Sequence, residues 1–314
     1  MPQIKRMRAY KLQLTNSKEY NNSLKQRGRI DFWIDKSILT KWRYSGKQTQ
    51  GGKLIYSDAL IEMILVLSYV YSLPLRQTEG FVSSLLSVSR TPLKVPDYTT
   101  ICRRGKVLDV SRKLRKWNRK ENIVFSIDGS GLKCCGEKEW MQTKHRQTRR
   151  RKFIKIHTGI NVNTREIIFN KSTSSRVSDT SVLPEAIKQV GNKFSKLLAD
   201  GGYDSKSTYT NLPPEVEVLI PPRKNAVKDN STHQRNKAIE YIGEYSRSRW
   251  RREVDYHQRS IMENTFSRWK TIFGENIKSK NEDSQQVEVT IKSEILNKMT
   301  TLGMPQWNRV YFLK

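Results

Sequence analysis

The sequence predicts an α/β fold with a mixed sheet, preceded by a mostly helical region. Three observations predict it. FIKIHTGINV and REIIFNKST flank Asn163-Thr164, and the first alternates apolar and polar residues, so the pair reads as a hairpin. Beyond the hairpin, helix-like and strand-like runs alternate, as they do where helices cover a sheet. Before about Lys120 the patterns are of the helical type, broken by turns.

In chain order, residues 1–28 are polar, basic and Asn-rich and read as a mobile arm. Residues 29–120 read as a helical DNA-binding region. Ser57 is the expected N-cap of a helix that breaks at Leu73-Pro74, and a second helix runs through Phe81 and Leu86. After Pro92 and Pro96, Asp97 or Thr99 caps a short helix carrying Arg103 and Arg104, a layout like a helix-turn-helix that makes both arginines candidate DNA contacts. Residues 121–290 read as one α/β domain with a mixed sheet. ENIVFSID is a short strand ending at Asp128, and the hairpin follows. DTSVLPEAIKQVG is a helix with Asp179 or Thr180 as its cap and Gly191 as its stop. KLLAD is a strand ending at Asp200, Gly201-Gly202 is a turn, and Asp204 or Ser205 starts another helix. EVEVLIPPR is a strand stopped by Pro221 and Pro222, and a polar, basic stretch runs from Lys224 to Arg252. Residues 291–314 read as a C-terminal tail.

The composition names a class of partner. Lys and Arg number 59 against 30 Asp and Glu, a formal net charge of +29. Such an excess calls for a polyanion: nucleic acid first, an anionic membrane surface second, with no lipidation signal to support the latter. The first residues carry no apolar signal segment, and the apolar run from Met63 to Leu75 is too short to span a bilayer. Three cysteines, with Cys134 and Cys135 adjacent, have no zinc spacing and cannot all pair, which fits a reducing cytoplasm.

YHQRSIMENTFSRWK places Tyr256, Arg259, Glu263 and Lys270 at about 0°, 300°, 340° and 320° on a helix turning ~100° per residue. This is one narrow polar stripe, and Met262, Phe266 and Trp269 fall on the adjoining apolar face. An ordinary amphipathic helix with a solvated charged side gives the same pattern. Asp128 and Asp200 end strands, where α/β sheets place ligands, and hard divalent cations take carboxylate oxygens. In a strongly basic chain, three such acids suggest metal ions acting on a phosphodiester. Most Asp and Glu are surface charges or helix caps, and that reading also stands at this point.

These residues carry a resemblance. The chain resembles bacterial insertion-sequence transposases of the DDE type, in the group named after insertion sequence five. That group has Tyr, two residues, Arg, three residues, Glu, six residues, Lys, and Tyr256, Arg259, Glu263 and Lys270 match it without a gap. DGSGLKCCGEKEWMQTKH with RRRKFIKIH, ADGGYDS and VPDYTTICRR resemble its other segments in the same order, so the similarity runs from about Arg29 to about Gly274. Arg146 and Phe153 depart from the Gly and Trp of the group. The resemblance implies an RNase H-like catalytic fold and metal-dependent cleavage and strand transfer at the ends of a mobile DNA element. Asp128, Asp200 and Glu263 are its catalytic, metal-binding acids, Mg²⁺ is the expected ion with Mn²⁺ as a substitute, and the unbroken run of motifs points to an intact enzyme. Tyr256, Arg259 and Lys270 are expected at DNA phosphates. A salt bridge to Glu263 is the alternative for the two cations, and a tyrosine nucleophile is the competing mechanism for Tyr256. Lys144, Arg149, Arg150 and Arg151 lie in a basic run, KHRQTRRRKFIK, expected to track the DNA backbone. Trp140 reads as core or as a base-stacking residue, and His145 and His157 as surface and strand residues. The expected partner is double-stranded DNA, terminal repeats and target alike, bound by a homo-oligomer associated with the bacterial nucleoid. The alternative is a non-catalytic DNA-binding protein of the same fold, and a general nuclease is a third reading.

Overall fold

The computed structural model describes residues 10–48, 53–110, 114, 123–134, 153–191, 194–230 and 234–311. At its centre is a six-stranded mixed sheet. β2 (Ile123–Cys134) pairs antiparallel with β3 (Phe153–Asn161), and β3 pairs antiparallel with β4 (Glu166–Ser174). On its other edge β2 runs parallel to β5 (Phe194–Leu198), which is parallel to β6 (Glu217–Leu219), giving the order β4-β3-β2-β5-β6. Further along β2, Lys133 and Cys134 pair with the short β7 (Asn276–Ile277).

This layout places the first acid differently from the sequence expectation. β2 does not stop at Asp128; it runs six residues farther, to Cys134. What stops is its parallel neighbour, because the last β2–β5 pair is Ser126↔Leu198. Asp128 and Asp200 therefore each lie two residues beyond that pair, on adjacent parallel strands about 4.8 Å apart. From Ile127 to Leu132 that edge of β2 has no strand beside it among the described residues.

Each face of the sheet carries its own core. Ile123, Phe125 and Ile127 pack with α6 (Asp179–Val190), through Val182, Leu183 and Ala186. Leu132, Ile156 and Ile160 pack with Met262 and Trp269 of α10 (Ser260–Phe273) and Val289 and Leu296 of α11 (Glu282–Thr301). Gly191 ends α6 at φ 72°, a conformation that suits glycine.

Ahead of the sheet come β1 (Tyr10–Leu14), α1 (Ser17–Arg27), the single turn α2 (Ile30–Trp33), α3 (Asp58–Val70), α4 (Leu75–Val88) and α5 (Tyr98–Gly105). Ser57 caps α3 by accepting from the Leu60 N–H, and Asp97 caps α5 through the Thr99 and Thr100 N–H groups. The Thr99 and Thr100 hydroxyls, which also donate to it, and then these N–H groups hold the Asp97 carboxyl well below the usual range. Leu60, Ile61, Ile64 and Leu67 of α3 are fully buried. Among the described residues no single helix is long and apolar enough to cross a membrane.

Both ends of the chain depart from expectation. Within the expected arm, β1 pairs with β8 (Trp307–Tyr311), and α1 follows it. Residue 291 is no boundary, since it lies inside α11, whose Val287, Ile291, Ile295 and Met299 pack against the helical region while Val289 and Leu296 face the sheet. The basic stretch before the Tyr256 segment also folds, into α8 (Gln234–Glu244) and α9 (Arg247–Glu253). The remaining short helix, α7 (Lys206–Thr210), is capped by Ser205 through the Thr208 N–H.

Candidate active site

The Tyr256 stripe is built in two pieces. Asp255 sits in the left-handed region at φ 53°, Tyr256–Arg259 form one 3₁₀ turn, and α10 starts at Ser260. Tyr256 is thereby mostly buried, at the wall of the cleft described below. Its hydroxyl donates to the Ala199 carbonyl at 3.0 Å, and its ring packs at 5.9 Å from Trp250. Burial pushes this hydroxyl up to about 12 against the pull of Arg259 and Arg251. A phenol so placed ties the end of β5 to the turn that leads into α10.

Arg259 joins two of the three acids. One arm donates to Asp128 Oδ2 at 2.8 Å, and the other to Glu263 Oε1 at 2.8 Å. Glu263 is mostly exposed and Asp128 is not. Burial raises the Asp128 carboxyl, the nearby Asp200 charge adds to the rise, and the Gly129 N–H and Arg259 oppose it. Arg259 itself is raised: burial works against its charge, and Tyr256, Asp128 and Glu263 outweigh the burial. Asp200 caps the turn after β5 by accepting from the Gly202 N–H at 2.8 Å. Asp200, Arg259 and Glu263 line one open cleft of about 750 Å³ with Arg251, Arg252 and Arg309. Lys270 is exposed, seven residues beyond Glu263 on α10.

In kind, this donor set fits a hard divalent cation: three carboxylates on neighbouring elements, faced by arginines that would otherwise have to balance them. The guanidinium of Arg259 stands between Asp128 and Glu263, and among the described residues no three of His, Cys, Asp or Glu are grouped closely enough to hold a metal ion. A cation shared by these two carboxylates requires the guanidinium to move from between them.

Asp204 belongs elsewhere. Its fully buried carboxylate accepts from Arg235 Nε at 2.7 Å and from the Arg223 N–H at 3.0 Å. We expect Asp204→Asn to cost about 2–3 kcal/mol in urea unfolding, because it leaves Arg235 short of its counter-charge. Asp200→Asn keeps the cap oxygen and should stay within about 0.5 kcal/mol of wild type while abolishing cleavage. Equal loss of stability in the two variants would contradict this division.

Of the two arginines expected at DNA on α5, one is engaged within the fold. Arg104 is held by Asp58 and by the Tyr56 carbonyl, which it reaches at 3.0 Å, so it braces α5 against the start of α3. Arg103 is exposed on the same helix. Lys144, Arg149, Arg150 and Arg151, together with Trp140 and His145, lie outside the described residues.

The sequence reading missed a layer beneath Asp128. His157 lies on β3, as expected, and is fully buried there: its Nε2 is 2.9 Å from Thr173 Oγ1, and its Nδ1 lies 3.1 Å from Asp179 Oδ1. Lys155 pairs with the other Asp179 oxygen at 2.6 Å. Burial opposes the Asp179 charge, but His157 and Lys155 prevail and hold the carboxyl below its usual range. So Asp179 serves the sheet, while Ser178 takes the N-cap position of α6. Tyr203, buried close by, is pushed far upward by burial and by the charges of Asp179, Asp128 and Asp200. The signal for this layer was Gly129, directly after the acid: a Cβ there would run into the Asp179 carboxylate and the Lys155 chain.

Two family models, each described as a transposase DDE domain, match the chain, one over residues 25–137 and the other over residues 119–297. The second holds all three acids. Among solved structures, a cryo-EM structure of the piggyBac transposase synaptic complex with hairpin DNA is similar over 88% of this chain and 75% of its own, at 12% identity and a TM-score of 0.38. Family membership rests on the two family matches. The longer of them alone spans more than half of the 314 residues, and the chain belongs to the transposase DDE domain family, enzymes that cut DNA and transfer its strands.

Proposed function

We propose that this transposase cuts DNA at the ends of an insertion element of the insertion-sequence-five group and joins the freed 3′ ends to target DNA. Asp128, Asp200 and Glu263 are its metal-holding acids. The observation that carries this reading is the register: Asp128 and Asp200 each stand two residues past the last pair of adjacent parallel strands, and Arg259 ties Glu263 to Asp128. These three carboxylates would hold Mg²⁺, or Mn²⁺ in its place, which when bound would activate the attacking oxygen and relieve charge on the departing one. Arg259 neutralises Asp128 and Glu263 before DNA arrives, and its planar fork suits phosphate oxygens once it moves from between them. Arg251, Arg252 and Arg309 on the cleft wall hold the backbone near the scissile bond. Lys270 continues that contact about 10 Å along the helix axis from Glu263. Arg103 and the basic segment with Lys144, Arg149, Arg150 and Arg151 extend it, with residues 29–120 reading the element end.

Purified protein with Mg²⁺ and a duplex carrying the terminal repeats of the element should yield nicks at the repeat ends and joined products. Equal cutting of a duplex with scrambled ends would favour a general nuclease instead. Duplex affinity should fall on the order of 10³-fold between 50 and 200 mM salt, measured by fluorescence anisotropy. A nearly flat response would show that the basic surface is not the docking face. Joining two ends requires a homo-oligomer on DNA, and the chain works in the cytoplasm at the bacterial nucleoid.

A further inference from the structure

A second cavity, of about 600 Å³, lies on the other side of α10 from the cleft. Its walls are α1, the β3–β4 turn, α10 and the approach to β8. Three of its lining residues are Arg27, Arg165 and Arg268, and none is Asp or Glu. Arg27 donates one arm to the Gly303 carbonyl at 2.9 Å, and its buried Nε has no hydrogen-bond partner. Arg268 donates to Thr300 Oγ1 at 3.1 Å and to the Leu296 carbonyl at 3.4 Å. Among the described residues no carboxylate forms an ion pair with any of the three. The Arg165 side chain, projecting from a turn residue at φ 62°, makes no hydrogen bond to another described residue. Burial, with the like charges of Arg27 and Arg165, brings Arg268 down to about 10. Arg27 and Arg268 thus reach protein carbonyls, and Arg27 also lies over the Tyr20 ring, but among the described residues none of the three has a carboxylate such as Asp58 provides for Arg104. Three mutually repelling cations facing one cavity without a counter-charge leave room for an anion from outside.

The position of the cavity says which anion. Ser260 and Glu263 of α10 face the catalytic cleft, while Ile261, Asn264 and Thr265, in the same turns, face the cavity. β8 offers Arg309 to the cleft and Trp307, two residues away on the same side of the strand, to the cavity. Trp307 and Leu24 are exposed at the cavity. The two sites are thus separated by one helix width, roughly 10 Å, about three base steps of duplex rise at ~3.4 Å each. A backbone leaving the cleft past Arg309 meets the three arginines next. We propose that Arg27, Arg165 and Arg268 form a second DNA-docking site, which takes a backbone phosphate a few nucleotides from the bond held in the catalytic cleft. This rests on the reading of duplex DNA as substrate.

The test measures duplex affinity of the full chain against salt concentration, by fluorescence anisotropy, for wild type and three variants. Arg165→Gln removes a charge that pairs with no carboxylate among the described residues. It should weaken binding roughly tenfold at low salt and reduce the salt slope by about 1. Arg165→Lys keeps the charge and should keep the slope. Lys188→Gln removes an exposed charge from α6, on the other face of the sheet, and should change neither quantity. The proposal is overturned if Arg165→Gln retains the wild-type slope, if Arg165→Lys loses as much as Arg165→Gln, or if Lys188→Gln has the same effect. A wild-type chain that binds no duplex overturns the DNA reading and this site with it, a result distinct from the other three.

Discussion

Glu263→Gln is expected to reduce strand cleavage to background while the protein folds normally and still binds DNA. The carboxylate is mostly exposed on α10, and its one partner among the described residues is Arg259, four residues earlier. An exposed pair of that kind contributes no more than about 1 kcal/mol, so the melting curve should barely move. Arg259 keeps its second bond, to Asp128, and stays at the site. Chemistry is affected differently. Glutamine has the size of glutamate without the charge a divalent cation needs. Losing one ligand that relieves charge on the transferring phosphate should cost about 4 kcal/mol in the transition state, roughly a 10³-fold drop in rate. Duplex affinity should hold or rise slightly, because one repulsive charge is gone. A nicking assay on this variant, with DNA binding and thermal melting as controls, separates an enzyme from a binding protein of the same fold. Cleavage at the wild-type rate would reduce Glu263 to half of a surface salt bridge.

The sheet was legible because its strands alternate or carry short apolar runs, and because turn residues punctuate them. Gly191, Asn163-Thr164, Ser57 and Asp97 all do the local work that their chemistry suggests. Asp128 was read as a strand end, yet β2 runs on past it. Gly129 and Gly131 look like a strand stop, but their backbones continue the ladder opposite His157 and Lys155. Register is a property of two strands together, so the shared position of Asp128 and Asp200 could not be read from either segment alone. The stripe on α10 was drawn at one helical period throughout. The 3₁₀ turn at Tyr256–Arg259 advances ~120° per residue, and this swings Tyr256 off the polar face into the core. The fate of His157 and Asp204 was hidden for a different reason. Both are polar residues whose partners, Asp179 and Arg235, lie 22 and 31 residues away in the sequence. Burial of such groups follows from tertiary pairing, which periodicity does not encode.

α11 is the clearest miss, and it sets up the largest expected effect on stability. In VEVTIKSEIL, valine and isoleucine alternate with polar residues as they would in a half-exposed strand. The segment is a helix all the same, because its polar positions are buried and satisfied. Gln286 and Thr290 bond Asn170 of β4, and Asn170 in turn donates to Ser293. Glu288, fully buried, accepts from the Lys278 and Ser279 N–H groups and from Lys292 Nζ at 2.6 Å. Lys292, also buried, lies 5.4 Å from the ring centre of Tyr69 on α3 and 5.5 Å from that of Phe273 on α10. The pair thus sits where the helical region meets the catalytic sheet. Replacing Glu288 with Gln keeps the shape and leaves the Lys292 ammonium in the core without its carboxylate. Breaking a buried pair in this way costs about 3–5 kcal/mol, which in a chain of this size lowers the melting temperature by roughly 5–8 °C. Because α11 packs on both bodies, Glu288→Gln should lower the melting of both together, followed by tryptophan fluorescence from Trp33 and Trp42 in the helical core and Trp269 against the sheet. A variant that melts within about 1 °C of wild type would mean that Lys292 finds solvent or another partner at no cost, and that the junction is held by its apolar contacts alone.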